Sequence, residues 1–138
     1  MSGSVDFFIQ DHLSEEAVVA FFNRQIPQGV ESLECTNDKA ALFLQFFEYD
    51  KGFSRSAGLA WGLPDLELDD IAIAAALAKE FSTQVLLQPQ ALQLPAGLEW
   101  CLVNSDGSFY AVNIVELDDG VAVRDDGNQI NLSEVTNH

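Results

Sequence analysis

The sequence predicts a single α+β domain over residues 1–138, with a mainly antiparallel sheet, two helices and a C-terminal β-meander. Three observations predict it. Apolar residues alternate in short runs, two segments open on a leucine followed by a capping residue and acids, and three Asp-Gly steps recur in the last third of the chain. Apolar residues make up 48% of the chain, which excludes a disordered acidic tail, because such tails lack the aliphatic surface that offsets chain entropy. No linker, low-complexity tract or repeat divides it.

The first element is a strand over 5–10, where Val5, Phe7 and Ile9 fall on one side. A helix follows with Ser14 as N-cap, Glu15 and Glu16 in the first turn, and Leu13 positioned to staple onto Val18; Val18, Phe21 and Phe22 form its buried stripe. Pro27 and Gly29 end it. Segments 31–36 and 40–49 read as paired strands around a turn at Asn37-Asp38-Lys39. The second is apolar on both faces, Leu42, Leu44 and Phe46 against Phe43 and Phe47, which places it centrally, although so short a run also fits a helix.

Residues 50–56 read as a loop. Residues 57–63 put Leu59, Trp61 and Leu63 on one side and Gly58, Ala60 and Gly62 on the other, a small-residue face that another element can approach closely. The second helix is the candidate for that approach. It opens on Leu68 with Asp69 as N-cap and Asp70 in the first turn, and residues 71–81 are apolar nearly all round, so the fold or a partner should cover more than one side. A short strand over 85–87 and a loop with two prolines over 89–97 lead to the meander: strands at 98–104, 109–117, 121–124 and 129–132, joined by turns at Asp106-Gly107, Asp119-Gly120 and Asp126-Gly127.

Chemistry is constrained by what is scarce. His12 and His138 are the two histidines, and His12 lies in a strand-helix loop, so a Ser or Cys nucleophile lacks a placed base. Cys35 and Cys101 read as buried thiols, and with His12 they show no zinc spacing. The run from Asp65 to Asp70 alternates acid and leucine without the glycine and distal glutamate of an EF-hand loop, and no glycine-rich phosphate loop is present. No cofactor, metal or catalytic residue is expected. The N-terminal residues carry no signal-peptide pattern and the longest nearly apolar run is too short to span a bilayer, so a cytoplasmic location is expected.

The dominant feature is charge: 22 acidic residues against 6 basic ones, a net of −16. Direct binding to nucleic acid or an anionic membrane is disfavoured, and a basic protein partner is favoured. Glu15, Glu16, Asp69 and Asp70 are accounted for as helix starts, and Asp106, Asp119 and Asp126 as turn residues. The acids offered to a partner are Asp65, Glu67, Glu116, Asp118 and Asp125, with Asp119 and Asp126 beside them, and Phe53, set in a polar loop between Lys51 and Arg55, is the candidate apolar anchor. Trp61, Trp100, Tyr49 and Tyr110 are further anchor candidates.

A small, acidic, single-domain α+β chain without catalytic motifs resembles the bacterial immunity proteins that neutralise cognate toxins of contact-dependent, type VI or Rhs-type delivery systems. The likeness covers the whole chain and rests on size, charge and strand-helix pattern. It implies a non-enzymatic cytoplasmic protein that binds a toxin domain and blocks its active site or substrate path, with acids standing in for phosphates if that toxin is a nuclease. Two other readings stand beside it: a nucleic-acid mimic or chaperone-like binder of basic proteins, and a small-molecule-binding domain or weak hydrolase using paired carboxylates. The apolar helix over 69–81 also offers a homodimer contact.

Overall fold

The computed structural model describes residues 3–63, 66–89, 94, 98–118, 120–123 and 130–131. In chain order the elements are β1 (Gly3–Ile9), α1 (Glu15–Gln25), β2 (Val30–Glu31), β3 (Leu42–Glu48), β4 (Lys51–Gly52), β5 (Arg55–Trp61), α2 (Asp70–Phe81), β6 (Val85–Leu87), β7 (Trp100–Val103), β8 (Phe109–Val112), β9 (Ile114–Leu117), β10 (Gly120–Val123) and β11 (Ile130–Asn131). The main sheet runs β11-β8-β7-β6-β1-β5-β3-β2, and a second sheet runs β4-β10-β9. Neighbours in the main sheet are antiparallel except β2 and β3. The α+β class read from the sequence is therefore the observed one.

Both helices cover one face of the main sheet. Val5, Phe7 and Ile9 of β1 point there, with Leu42 and Leu44 of β3, Ala57 and Leu59 of β5, Val85 and Leu87 of β6, and Cys101 and Val103 of β7. Period-two alternation places them on one side of the pleat, and the helices supply Val18, Phe21, Phe22, Ile73, Ala74 and Leu77 in return. Each helix starts where its cap predicts: the Ser14 hydroxyl accepts from Ala17 N–H and the Asp69 carboxylate from Ala72 N–H, both at 3.1 Å. Phe21 and Phe81 join the two helices edge to face, beside an ion pair between Arg24 and Glu80. The apolar circumference of α2 is taken up largely within the chain: Ile73, Ala74, Leu77 and Ala78 are buried, and Ile71, Ala75, Ala76 and Phe81 pack half-buried on the same core.

Among the described residues, the opposite face is covered over its C-terminal half. There Leu86, Leu102 and Val112 lie under the small sheet with Phe53, and Ile114, Val121 and Val123 pack onto them. The small sheet depends on two glycines. Gly52 and Gly120 have φ of +63° and +142°, and a Cβ on either would collide with the backbone carbonyl oxygen of Val121 or Lys51 respectively, so β4 and β10 meet at a distance no other residue allows.

Several expectations are corrected. Residues 31–36 and 40–49 do not form a hairpin: β2 is two residues long and pairs parallel with β3, because the chain after Glu31 turns to the helical side, where the Ser32 hydroxyl donates to Glu15 at 2.6 Å. β3 is not central but lies next to the short edge strand β2. The small-residue face of β5 does not receive α2, which packs on β6 and β7 across the other side of the sheet. Residues 50–56 contain a strand, β4. The strand read over 109–117 breaks at Asn113 into β8 and β9, which belong to different sheets, so the C-terminal strands are not one meander: β11 returns to β8, and β10 pairs with β9 and β4. The turn at Asp126-Gly127, most of the proline-containing loop and the end of the chain lie outside the described residues. Among the described residues, no helix is long and apolar enough to cross a membrane.

Candidate functional site

The uncovered half of the second sheet face is built by the three longest strands, β1, β5 and β3, seven residues each and paired without a break. Alternation places nine residues on it in three rows: Ser4, Ala60 and Phe43; Asp6, Gly58 and Gln45; Phe8, Ser56 and Phe47. The middle column, contributed by β5, is small, so the face forms a trough. Phe43 and Phe47 wall one side. Phe8 walls the other and stacks edge to face on Trp100 at 5.7 Å between ring centroids. Phe47 is 52% exposed, a large apolar side chain half in solvent.

Two concavities extend the trough. One, of about 480 Å³, lies between Asp6, Phe8, Gln88, Pro89 and Trp100; the other, of about 600 Å³, between Ser4, Glu31, Phe43, Ala60 and Trp61. The Asp6 carboxylate lies over the middle of the floor, where a Cβ added to Gly58 would sit 2.5 Å from Oδ1. Glu31, paired beside Phe43, is the second acid, and the nine face residues include no Lys, Arg or His. Asp6 and Glu31 stand on strands three steps apart, so their backbones are separated by about 15 Å. That exceeds the span over which two carboxylates share hydrolytic work on one bond. The site presents apolar walls, a flat floor, hydroxyl and amide groups, and negative charge.

A third concavity, of about 540 Å³, opens between the two sheets beside Phe53, Gln84, Leu102, Asn104 and Tyr110; the Gln84 amide donates to the Asn104 side chain at 2.8 Å across it. Among the described residues no group of three or more His, Cys, Asp and Glu is placed to hold a metal ion.

No family model, curated protein or solved structure matches this chain. The site is therefore read from its own geometry.

The described acids among those proposed from sequence, Glu67, Glu116 and Asp118, do not meet in one place. Glu67 is exposed on the approach to α2, on the helical side, whereas Glu116 and Asp118 are exposed on β9 and its turn in the small sheet on the other side. Asp65, Asp119, Asp125 and Asp126 lie outside the described residues. Phe53 is corrected as an anchor. It is 4% exposed, because its N–H donates to Val121 O at 2.8 Å and draws the ring under the small sheet. Trp61 packs half-buried on the main core, and Tyr110 against the cluster under the small sheet.

Asp106 serves its turn, accepting from Ser108 Oγ at 2.6 Å and Ser108 N–H at 2.9 Å; the Ser108 hydroxyl, then its N–H, hold this carboxyl below its ordinary range. Sequence reasoning missed Phe43, Phe47 and Asp6 as a group. The small-residue alternation of β5 was the signal for the trough, and what it lacked was the register that sets Asp6 over Gly58.

Proposed function

We propose that the protein is a non-enzymatic acidic binding protein whose open sheet face receives a basic protein partner, and that it acts in the cytoplasm as an immunity protein against a cognate toxin domain. The observation that carries the reading is the trough itself. A face walled by the exposed Phe47 and the half-buried Phe43 and Phe8, and carrying acid without base, is what an apolar, cationic surface would complement. The net charge of −16 supports it by accelerating encounter with a basic protein and repelling acidic ones.

The test is a titration against basic toxin domains of nuclease type, with an acidic domain as control. Association should slow by about tenfold or more as NaCl rises from about 50 to about 500 mM. Phe47→Ala should weaken binding by about tenfold while leaving the unfolding midpoint nearly unchanged, since that ring is half in solvent. Association that ignores salt would remove the electrostatic half of the reading, and full affinity in Phe47→Ala would remove the trough from it.

A further inference from the structure

We propose that the partner docks along the outer edge of β3, from Leu44 to Glu48, by adding an extended segment bearing Lys or Arg to the main sheet. This deepens the reading above, resting on its basic protein partner and adding the mode of recognition.

The backbone geometry carries the argument. Leu42 N–H points away from β5 and donates to Gly29 O at 3.1 Å. Both backbone polar groups of a strand residue point to the same side, and the side alternates, so Leu44, Phe46 and Glu48 also direct N–H and C=O away from β5. β2 meets this edge only at Leu42 and Phe43. Among the described residues no strand pairs with β3 beyond that point. The fold treats the two parts of this sheet end differently. β2 is closed off by Asn23 of α1, whose side chain accepts from Val30 N–H and donates to Val30 O, both at 2.9 Å. Among the described residues no comparable side chain serves Leu44 to Glu48.

The composition of the edge is equally telling. Exposed edge strands normally carry lysine, proline or a bulge that prevents further pairing. β3 has none of these: its seven residues, LFLQFFE, pair with β5 in unbroken register and hold one charge, at the last position. Leu42, Leu44 and Phe46 on one face and Phe43 and Phe47 beside Gln45 on the other give both faces apolar rings or branches, close to the pattern of an interior strand, and an added strand would make it one. Such a strand would also cover the exposed Phe47 on the trough side and the half-buried Phe46 on the helical side.

Charge selects the occupant. A second copy could pair edge to edge but brings another −16, whereas a cationic segment is attracted. At the edge itself, Glu31 pairs beside Phe43 and Glu48 ends β3, while Arg55, opposite Glu48 on β5, is held by Glu48 at 3.2 Å and donates to Leu13 O at 2.8 Å.

The experiment is residue-resolved amide exchange on the full chain, alone and with a synthetic decapeptide alternating Lys and Val, with a Glu and Val decapeptide as control. In the protein alone, Leu44 and Phe46 amides should exchange freely while Phe43, Gln45 and Phe47, bonded to β5, are protected. The Lys and Val peptide should slow Leu44 and Phe46 by about tenfold or more, and the control should not. Phe46→Pro removes one outward N–H without touching the β5 ladder and should abolish this binding; should loss of the ring unfold that variant, exchange in the unaltered chain decides.

Peptide binding that leaves Leu44 and Phe46 unchanged overturns the edge but leaves the basic-partner reading standing. Absence of binding overturns the edge too, and the salt titration with basic toxin domains then judges that reading separately. Slow exchange at Leu44 and Phe46 in the protein alone, with a dimer mass in sedimentation, assigns the edge to a second copy and overturns the foreign segment.

Discussion

Two thiols in one small chain have different fates. Cys101 is fully buried at the centre of β7, and burial first, with the negative charge of Asp70 second, pushes its pKa from 9.0 up to about 12. A folded-state value above the unfolded one means that the neutral thiol favours the fold. Its contribution is complete below pH 9 and is lost as pH rises from 9 towards 12, at up to about 1.4 kcal/mol per pH unit. Denaturant unfolding over that range should show the decline, and Cys101→Ala should flatten it relative to the parent, the tyrosines being common to both. Cys35 is half-buried and should react with a thiol reagent in the native protein, whereas Cys101 should react only as the chain unfolds. Both cysteines read as buried from their apolar surroundings, and Cys101 is, whereas Cys35 is only half-buried; that an aspartate would lie near Cys101 was not legible, because Asp70 reads locally as a helix-start residue and turns inward only through packing.

At the scale of elements, local grammar predicts starts and stops better than partners. Ser14 and Asp69 cap their helices as read, because capping is decided within a few residues. Pairing depends on residues far apart, so the parallel β2, the break at Asn113 and the position of β3 beside the edge were not legible. The small sheet offers a sharp test of such long-range dependence. Gly52→Ala and Gly120→Ala should each destabilise the protein by about 1–3 kcal/mol, since both positions combine positive φ with a backbone collision. Gly62→Ala, where a Cβ would meet nothing, should change stability by less than about 0.5 kcal/mol. Equal effects at all three, measured by thermal unfolding, would mean that β4 and β10 contribute little to the fold.

For the whole molecule, an excess of 16 negative charges stores repulsion that salt relieves. The unfolding midpoint should therefore rise as NaCl increases from about 10 to about 200 mM, while association with a basic partner weakens over the same range. The two trends have opposite signs because one reflects repulsion within the chain and the other attraction between chains. The size of the imbalance was plain from composition, but its layout was not: Glu67 and the pair Glu116 and Asp118 sit on opposite sides of the main sheet, while the acids nearest the trough, Asp6 and Glu31, belong to none of the sequence clusters. The ladder between β4 and β10, which joins residues 51–52 to 120–121, also sets an order of assembly. A chain emerging from the ribosome can complete β1, β3 and β5 long before residue 120 exists, so Phe53 and Leu86 wait uncovered for the C-terminal third. The small sheet therefore closes only after β1, β3 and β5 can pair, and in native-state exchange the Phe53 N–H, bonded to Val121 O, should be less protected than the amides of β1.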